Sequence, residues 1–415
     1  MMLTSQTVIK ASSEYYKLLD DFCFKAKNLY NVALYKLREA YFEYDTSMSY
    51  ESLDKVLKRE KSVDYMNMPM AASAQWTLKT VCKNWKSFWE SVKAYNKELS
   101  KFLGKPKMPK YLEKMKGRSI IYLTNQNVKI KDGVMYFPKS FSGLTIKTKL
   151  NEESIQQVRI IPKNRHFVIE TVYSEEDVPV KADNSRYIGV DLGIDNLAAI
   201  VSNEGSKPVL INGKGLKSIN KHWNKRISKL REVETAMNGE WITTKTGKAK
   251  VSKQTKQEKI LANKRNNQVK DFCHKASKMI INLAIERGCN TVVVGKNEEW
   301  KQESKMSKIV NQSFVQIPHA ILINMIEYKC QRYGLNIKIT EEAHTSKTSW
   351  IDDEVPCHHE NYIGKRVKRG LFRSANGSFI NADINGALQI IKKVFPNAKA
   401  DGIWAYGQPL RVNVI

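Results

Sequence analysis

The sequence predicts an α/β fold in two parts, and three observations lead there. With 415 residues, 42% of them hydrophobic, the chain can form two or three domains and at least one sizeable core. Its first third carries long helical periodicities followed by short alternating segments. Past Lys181 strand-like and helical stretches take turns instead, the pattern of a sheet covered by helices.

In chain order, Ser13 to Tyr44 predicts a helix, because Tyr16, Leu19, Phe22, Leu29, Val32, Leu37 and Tyr41 recur near a helical period. A second helical region covers about Met70 to Phe102. There Val81, Trp85, Phe88, Trp89 and Val92 form a stripe whose spacing suits a core face better than a base-stacking surface. Gly104 to Lys114, with Pro106 and Pro109 among lysines, reads as a linker. Alternating segments then run from about 115 to 180, with hairpin turns at Asp132-Gly133 and around Pro162 to Arg165.

The second half opens with three strands, YIGVDLGI, NLAAIVSNEG and KPVLINGKGL, and a basic helix beginning near Lys217. A helix from about Gln257 to Arg287, the strand TVVVG, a helix from about Pro318 to Tyr333, the strand NIKIT and a helix from about Ala382 to Val394 complete it. Three antiparallel strands followed by alternating helices and strands is an order compatible with the RNase H fold.

Charge narrows the partners. Against 42 Asp and Glu stand 69 Lys and Arg, a formal +27, which suits a polyanion. Nucleic acid fits best, since no run of about 18 apolar residues and no N-terminal signal segment supports a membrane. The six cysteines, at 23, 82, 273, 289, 330 and 357, include no pair at two-residue spacing, which predicts reduced thiols in a cytoplasmic protein and no four-cysteine zinc knuckle. Cys357-His358-His359 are adjacent rather than spaced to aim at one ion.

Two carboxylates stand out. Asp191 lies inside an apolar strand, where a charge is expensive unless paired or bound to metal. Asp383 opens the last helix, and its plain structural role would be a cap.

The segments VDLGIDNLAAI, INGKGLKSINKHWNKRISKLRE, DFCHKASKMII, TVVVGKNEEWKQ, NQSFVQIPHAIL, EEAHTSKTSW, YIGKRVKRGLFRS and NADINGALQI together resemble TnpB. TnpB is the transposon-carried RNA-guided nuclease ancestral to compact type V CRISPR effectors. The resemblance is dense from about 184 to 395 and looser before that. It implies an RNase H-like (RuvC) nuclease domain over 184–415. It further implies an N-terminal β-barrel-like wedge with an inserted helical recognition lobe over 1–183, helical at about 13–103 and β at about 115–180. The partners it implies are a guide RNA and target double-stranded DNA beside a short flanking motif, with one or two protein copies per RNA left open. The cofactor it implies is a pair of Mg²⁺ ions held by carboxylates.

By this resemblance Asp191 and Asp383 match the family's first and third acids, but Gly295 stands where a Glu is usual. The candidates for the missing ligand are Glu342, then Glu341, then Glu298 or Glu299, or no third ligand. Neighbouring strands lie about 4.8 Å apart, a gap a Glu side chain can largely span, and strand alternation sends 341 and 342 to opposite faces. A second departure is the zinc finger. No cysteine pairs follow Thr345-Ser346-Lys347, Ser349 stands near the first cysteine's place, and a basic loop over 344–380 replaces the finger. Nucleic-acid contacts are expected from Lys221, Lys225, Arg226 and Lys229 on the basic helix, and from Lys365, Arg366, Lys368, Arg369 and Arg373 in the loop; a merely solvated loop is the plain alternative. Three activities follow in order of support: an Mg²⁺-dependent RNA-guided DNA endonuclease, a nuclease-inactive RNA-guided repressor, and a DNA-joining transposase.

Overall fold

The protein is described from a computed structural model; the described residues are 1–244, 247–296, 316–398 and 408–414. The chain divides into two compact units, Met1–Glu176 and Asp177–Ile415.

In the first unit, strand β1 (Met2–Lys10) leads into helices α1 (Tyr16–Tyr44), α2 (Tyr50–Arg59), α3 (Val63–Met66) and α4 (Ala71–Lys97). Strands β2 (Ile121–Thr124), β3 (Lys129–Lys131), β4 (Val134–Tyr136), β5 (Thr145–Lys147), β6 (Ile155–Lys163) and β7 (His166–Ser174) follow. The sequence reading has no counterpart of β1, whose residues are mostly exposed and carry no apolar run. It pairs antiparallel with β7 along its whole length, so the helices form an insertion between two strands of one sheet, ordered β1-β7-β6-β2. Strands β3, β4 and β5 make a separate sheet, turned at Asp132 and Gly133, both with positive φ. No ladder joins the two sheets among the described residues, so the pairing lacks the expected barrel-like closure. One apolar core holds α1, α4 and the sheet together: Leu29 and Leu34 from α1, Leu78 and Val81 from α4, and Val158 and Ile169 from β6 and β7. Trp85 is buried in it and Phe88 and Trp89 are half-buried beside it, so the aromatic stripe is packing.

The second unit is built on a six-stranded sheet. Its chain order is β8 (Tyr187–Leu192), β9 (Asn196–Ser202), β10 (Val209–Asn212), α5 (Lys214–Asn238), a hairpin of β11 (Glu240–Thr244) and β12 (Gly247–Val251), α6 (Lys256–Glu286), β13 (Thr291–Gly295), α7 (His319–Arg332), β14 (Asn336–Thr340), β15 (Lys365–Lys368), β16 (Leu371–Arg373), β17 (Phe379–Ile380), α8 (Ala382–Val394) and β18 (Leu410–Val412). The β11–β12 hairpin fills the stretch between the basic helix and the long helix, where the sequence reading has no element. Spatially the sheet runs β14-β13-β8-β9-β10-β18. β8, β9 and β10 are antiparallel neighbours, whereas β13 and β14 run parallel to β8.

Both faces of this sheet are covered, which is why β8, β9 and β13 are mostly apolar rather than alternating, with Asp191 the charged exception. α6 and α7 pack on one face through Phe272, Ala276, Ile280, Leu322 and Ile326. α8 packs on the other through Ile384, Ala387, Leu388 and Ile391. β15, β16 and β17 form a small three-stranded sheet of their own, so the expected basic loop is partly structured.

Candidate active site

β8 and β13 run parallel with Val190 opposite Val294, which sets Asp191 level with Gly295; Gly295 in turn pairs with Thr340 of β14. Parallel strands bring their C-terminal ends to one edge of the sheet, the edge where α/β proteins place ligand sites. Glu341 and Glu342 leave β14 at that edge. Glu341 is exposed, while Glu342 is half-buried.

Residue 295 decides how Glu342 lies. A β-carbon at Gly295 would stand 2.5 Å from Glu342 Cγ and 2.6 Å from Ile390 Cδ1, and would also collide with Glu342 Oε1. The space that a side chain at 295 would fill is therefore filled by Glu342, reaching back across β13 toward β8. Gly386 of α8 plays the same part for Asp191, whose Oδ2 would lie 2.7 Å from a β-carbon there. Glu298 and Glu299 lie outside the described residues.

Electrostatics tie the three acids together. Burial, then the charge of Asp383, pushes the Asp191 carboxyl up to about 7, with Arg366 pulling the other way. Burial, then the charge of Asp191, pushes Glu342 up to about 8, opposed by a backbone hydrogen bond from Leu192. Like charges crowded out of water are what such shifts report.

Asp383 is not the cap of α8. Asn381 is: its side chain accepts from the backbone N–H of Asp383 at 3.0 Å and of Ile384 at 3.3 Å. The Asp383 carboxylate is left to other partners. Its Oδ2 accepts from Asn196 Nδ2 at 2.7 Å, and its Oδ1 lies 3.6 Å from the Arg366 guanidinium. Among the described residues, no three His, Cys, Asp or Glu side chains stand together as a metal-holding group. The donor chemistry nonetheless fits Mg²⁺: three hard carboxylate oxygens, two of them held where negative charge is in excess.

Beside Asp383 a cavity of about 480 Å³ is lined by Asn196, Asn212, Lys214, Lys217, Arg366, Arg369 and Arg411, together with Asp195. The sequence reading named only the two arginines at 366 and 369. Lys365 and Arg373 are exposed register partners in the small sheet, and Lys368 is exposed as well. Lys221, Lys225, Arg226 and Lys229 are all exposed along α5.

Around Ser349 hydrogen bonds tie the loop to itself. Ser349 Oγ donates to Asp352 at 2.6 Å, and the same Asp352 carboxylate accepts from Ala375 N at 2.9 Å. Buried Glu354 accepts from Ser349 N at 2.7 Å and from Ile363 N at 3.2 Å.

Residues 170–301 match a family described as probable transposase (OrfB_IS605), and residues 319–390 match the Cas12f1-like TNB domain. A TnpB-like protein of Acidianus two-tailed virus, ORF457, is 25% identical over 215 residues. The chain is similar to TnpB proteins over these segments. That alignment takes in 51% of this chain and 43% of the viral relative's own length. Asp191 falls in the first matched segment, Glu342 and Asp383 in the second. Among solved structures, a Cas12f1 complex with single-guide RNA and target DNA is similar at 18% identity over 94% of this chain and 98% of the other, with a TM-score of 0.36. CasPhi-2 (Cas12j) bound to crRNA and phosphorothioate DNA is similar at 10% identity over 96% and 92%, with a TM-score of 0.46. No helix among the described residues is long and apolar enough to cross a membrane.

Proposed function

We propose that this chain is a TnpB-type RNA-guided DNA endonuclease whose second unit is an RNase H-like, RuvC-type domain with Asp191, Glu342 and Asp383 as its acids. The observation that carries the reading is the Glu342 side chain lying over Gly295 beside Asp191, in the space that a side chain at 295 would fill. The first unit would then serve as wedge and recognition lobe. A guide RNA would read target sequence by pairing, leaving the protein to hold backbone and heteroduplex shape.

The three carboxylates would hold two divalent ions, which when bound supply the charge that activates water and stabilises the leaving oxygen. Asp191 and Glu342 carry the mutual repulsion that such ions relieve, and Asn196 orients Asp383. The exposed lysines of α5 and the arginines of the small hairpin supply phosphate contacts.

One observation favours a second reading, an RNA-guided DNA binder without cleavage. Asp383 is engaged by Arg366, and the acids do not stand as a finished metal-holding group. The two readings part in a single assay on protein purified with its co-expressed RNA and given matched DNA and Mg²⁺. We expect cleavage, abolished by Glu342→Ala and cut at least 10-fold by Gly295→Ala, with target binding retained in both. Matched DNA that is bound but never cut selects the binder, and full cleavage by Glu342→Ala removes Glu342 from the site.

A further inference from the structure

We infer that the cavity beside Asp383 is a phosphodiester-binding site for the incoming DNA strand, and that two of its arginines, Arg366 and Arg369, are parked on acidic side chains until the strand arrives. The inference rests on the nuclease or binder reading above and adds to it where the strand docks and what holds that dock shut.

Five cationic side chains, Lys214, Lys217, Arg366, Arg369 and Arg411, line the cavity against two carboxylates, Asp195 and Asp383. Such an excess around one concavity suits an anion, and planar guanidinium groups suit phosphate in particular. Both arginines come from the β15–β16 hairpin: Arg366 from its first strand, Arg369 from its turn beside Gly370. The turn is docked at the start of α8, where Ala382 N donates to Gly370 O at 3.3 Å.

Each arginine of the hairpin already has an acid. Arg366 pairs with Asp383 at 3.6 Å, and Arg369 pairs with Asp195, which also accepts from Lys217 at 2.5 Å. The hairpin is thus latched by two ion pairs, one to Asp383 at the start of α8 and one to Asp195 after β8. Their side chains are 46% and 76% exposed for Arg366 and Arg369, so both pairs are screened and readily exchanged. A strand phosphate can accept two hydrogen bonds from one guanidinium, where each arginine now makes a single contact with its acid. The departure of Arg366 leaves Asp383 facing the charge of Asp191.

A double-mutant cycle tests this with the RNA-bound full chain in Ca²⁺ at fixed salt, reading binding of a fluorescent single-stranded DNA oligonucleotide unrelated to the guide. Asp195→Asn, which frees Arg369 and Lys217, is expected to tighten binding about 3- to 10-fold, and Arg369→Gln to weaken it by a similar factor. In the Arg369→Gln background the gain from Asp195→Asn should vanish. Additive effects would mean that Asp195 acts only as a distant negative charge, and would overturn the latch. An RNA oligonucleotide of equal length distinguishes the source: coupling seen with RNA but absent with DNA gives the site to the guide and overturns its assignment to the DNA strand. Because the readout is binding in Ca²⁺, a chain unable to cut still answers the question. Arg366→Gln gives an independent check, with weaker DNA binding expected at an unchanged melting temperature.

Discussion

Glu342 comes beside Asp191 because residue 295 has no side chain. Any β-carbon there would meet Glu342 Cγ at 2.5 Å, so a carboxylate at 295 and one at 342 exclude each other from the same space. This gives a physical reason why Gly295 accompanies Glu342. The Asp191 and Glu342 carboxyls also predict a pH dependence. Raised to about 7 and about 8, they keep protons in the folded chain that the unfolded chain gives up above the ordinary carboxyl range near 4. Their stabilising contribution is therefore complete below that range and is lost as pH climbs through 7 to 8. In EDTA the melting temperature should fall between pH 5.5 and 8.5. Millimolar Mg²⁺ should flatten the fall, and so should Glu342→Gln. A slope that Glu342→Gln leaves untouched would show that other groups cause it.

At the scale of elements, the site depends on how two of them end. α8 begins with Asn381 as its cap, which spares Asp383 for Asn196 and Arg366. β14 ends at Thr340, and two further residues carry Glu342 to the edge of the sheet. The 349–375 region shows how a loop is fastened by carboxylates rather than by thiolates on zinc: Asp352 bridges Ser349 and Ala375, and Glu354 bridges Ser349 and Ile363. Glu354 is 4% exposed, so its removal strands two backbone donors. Glu354→Ala should cost about 2–3 kcal/mol of stability in denaturant unfolding. A loss below about 0.5 kcal/mol, the range of ordinary surface substitutions, would mean that water reaches those donors.

For the whole molecule the dominant fact is the formal charge of +27. If exposed lysines and arginines hold nucleic acid mainly through phosphates, binding releases counterions and weakens steeply with salt. Affinity for non-complementary duplex DNA should drop about 10³-fold or more between 50 and 200 mM salt, the loss expected of six or more phosphate contacts. A drop under about 10-fold would mean that few of these charges touch the strand.

The sequence by itself determined the broad order of elements. Apolar runs such as TVVVG and the period of the last helix are local signals, and the strands and helices built from them stand within a few residues of where those signals lie. It also determined that Asp191 and Asp383 needed explaining, because a carboxylate in an apolar strand is conspicuous on its own. β1 was not legible, since an exposed strand is defined by the partner it pairs with, and β7 lies more than 150 residues away. Only the tertiary structure decided between Glu341 and Glu342 as the acid beside Asp191, and why Gly295 accompanies it. Both depend on which side chain occupies one volume at the end of three strands, and occupancy of a volume is a property of packing that no stretch of the chain carries alone.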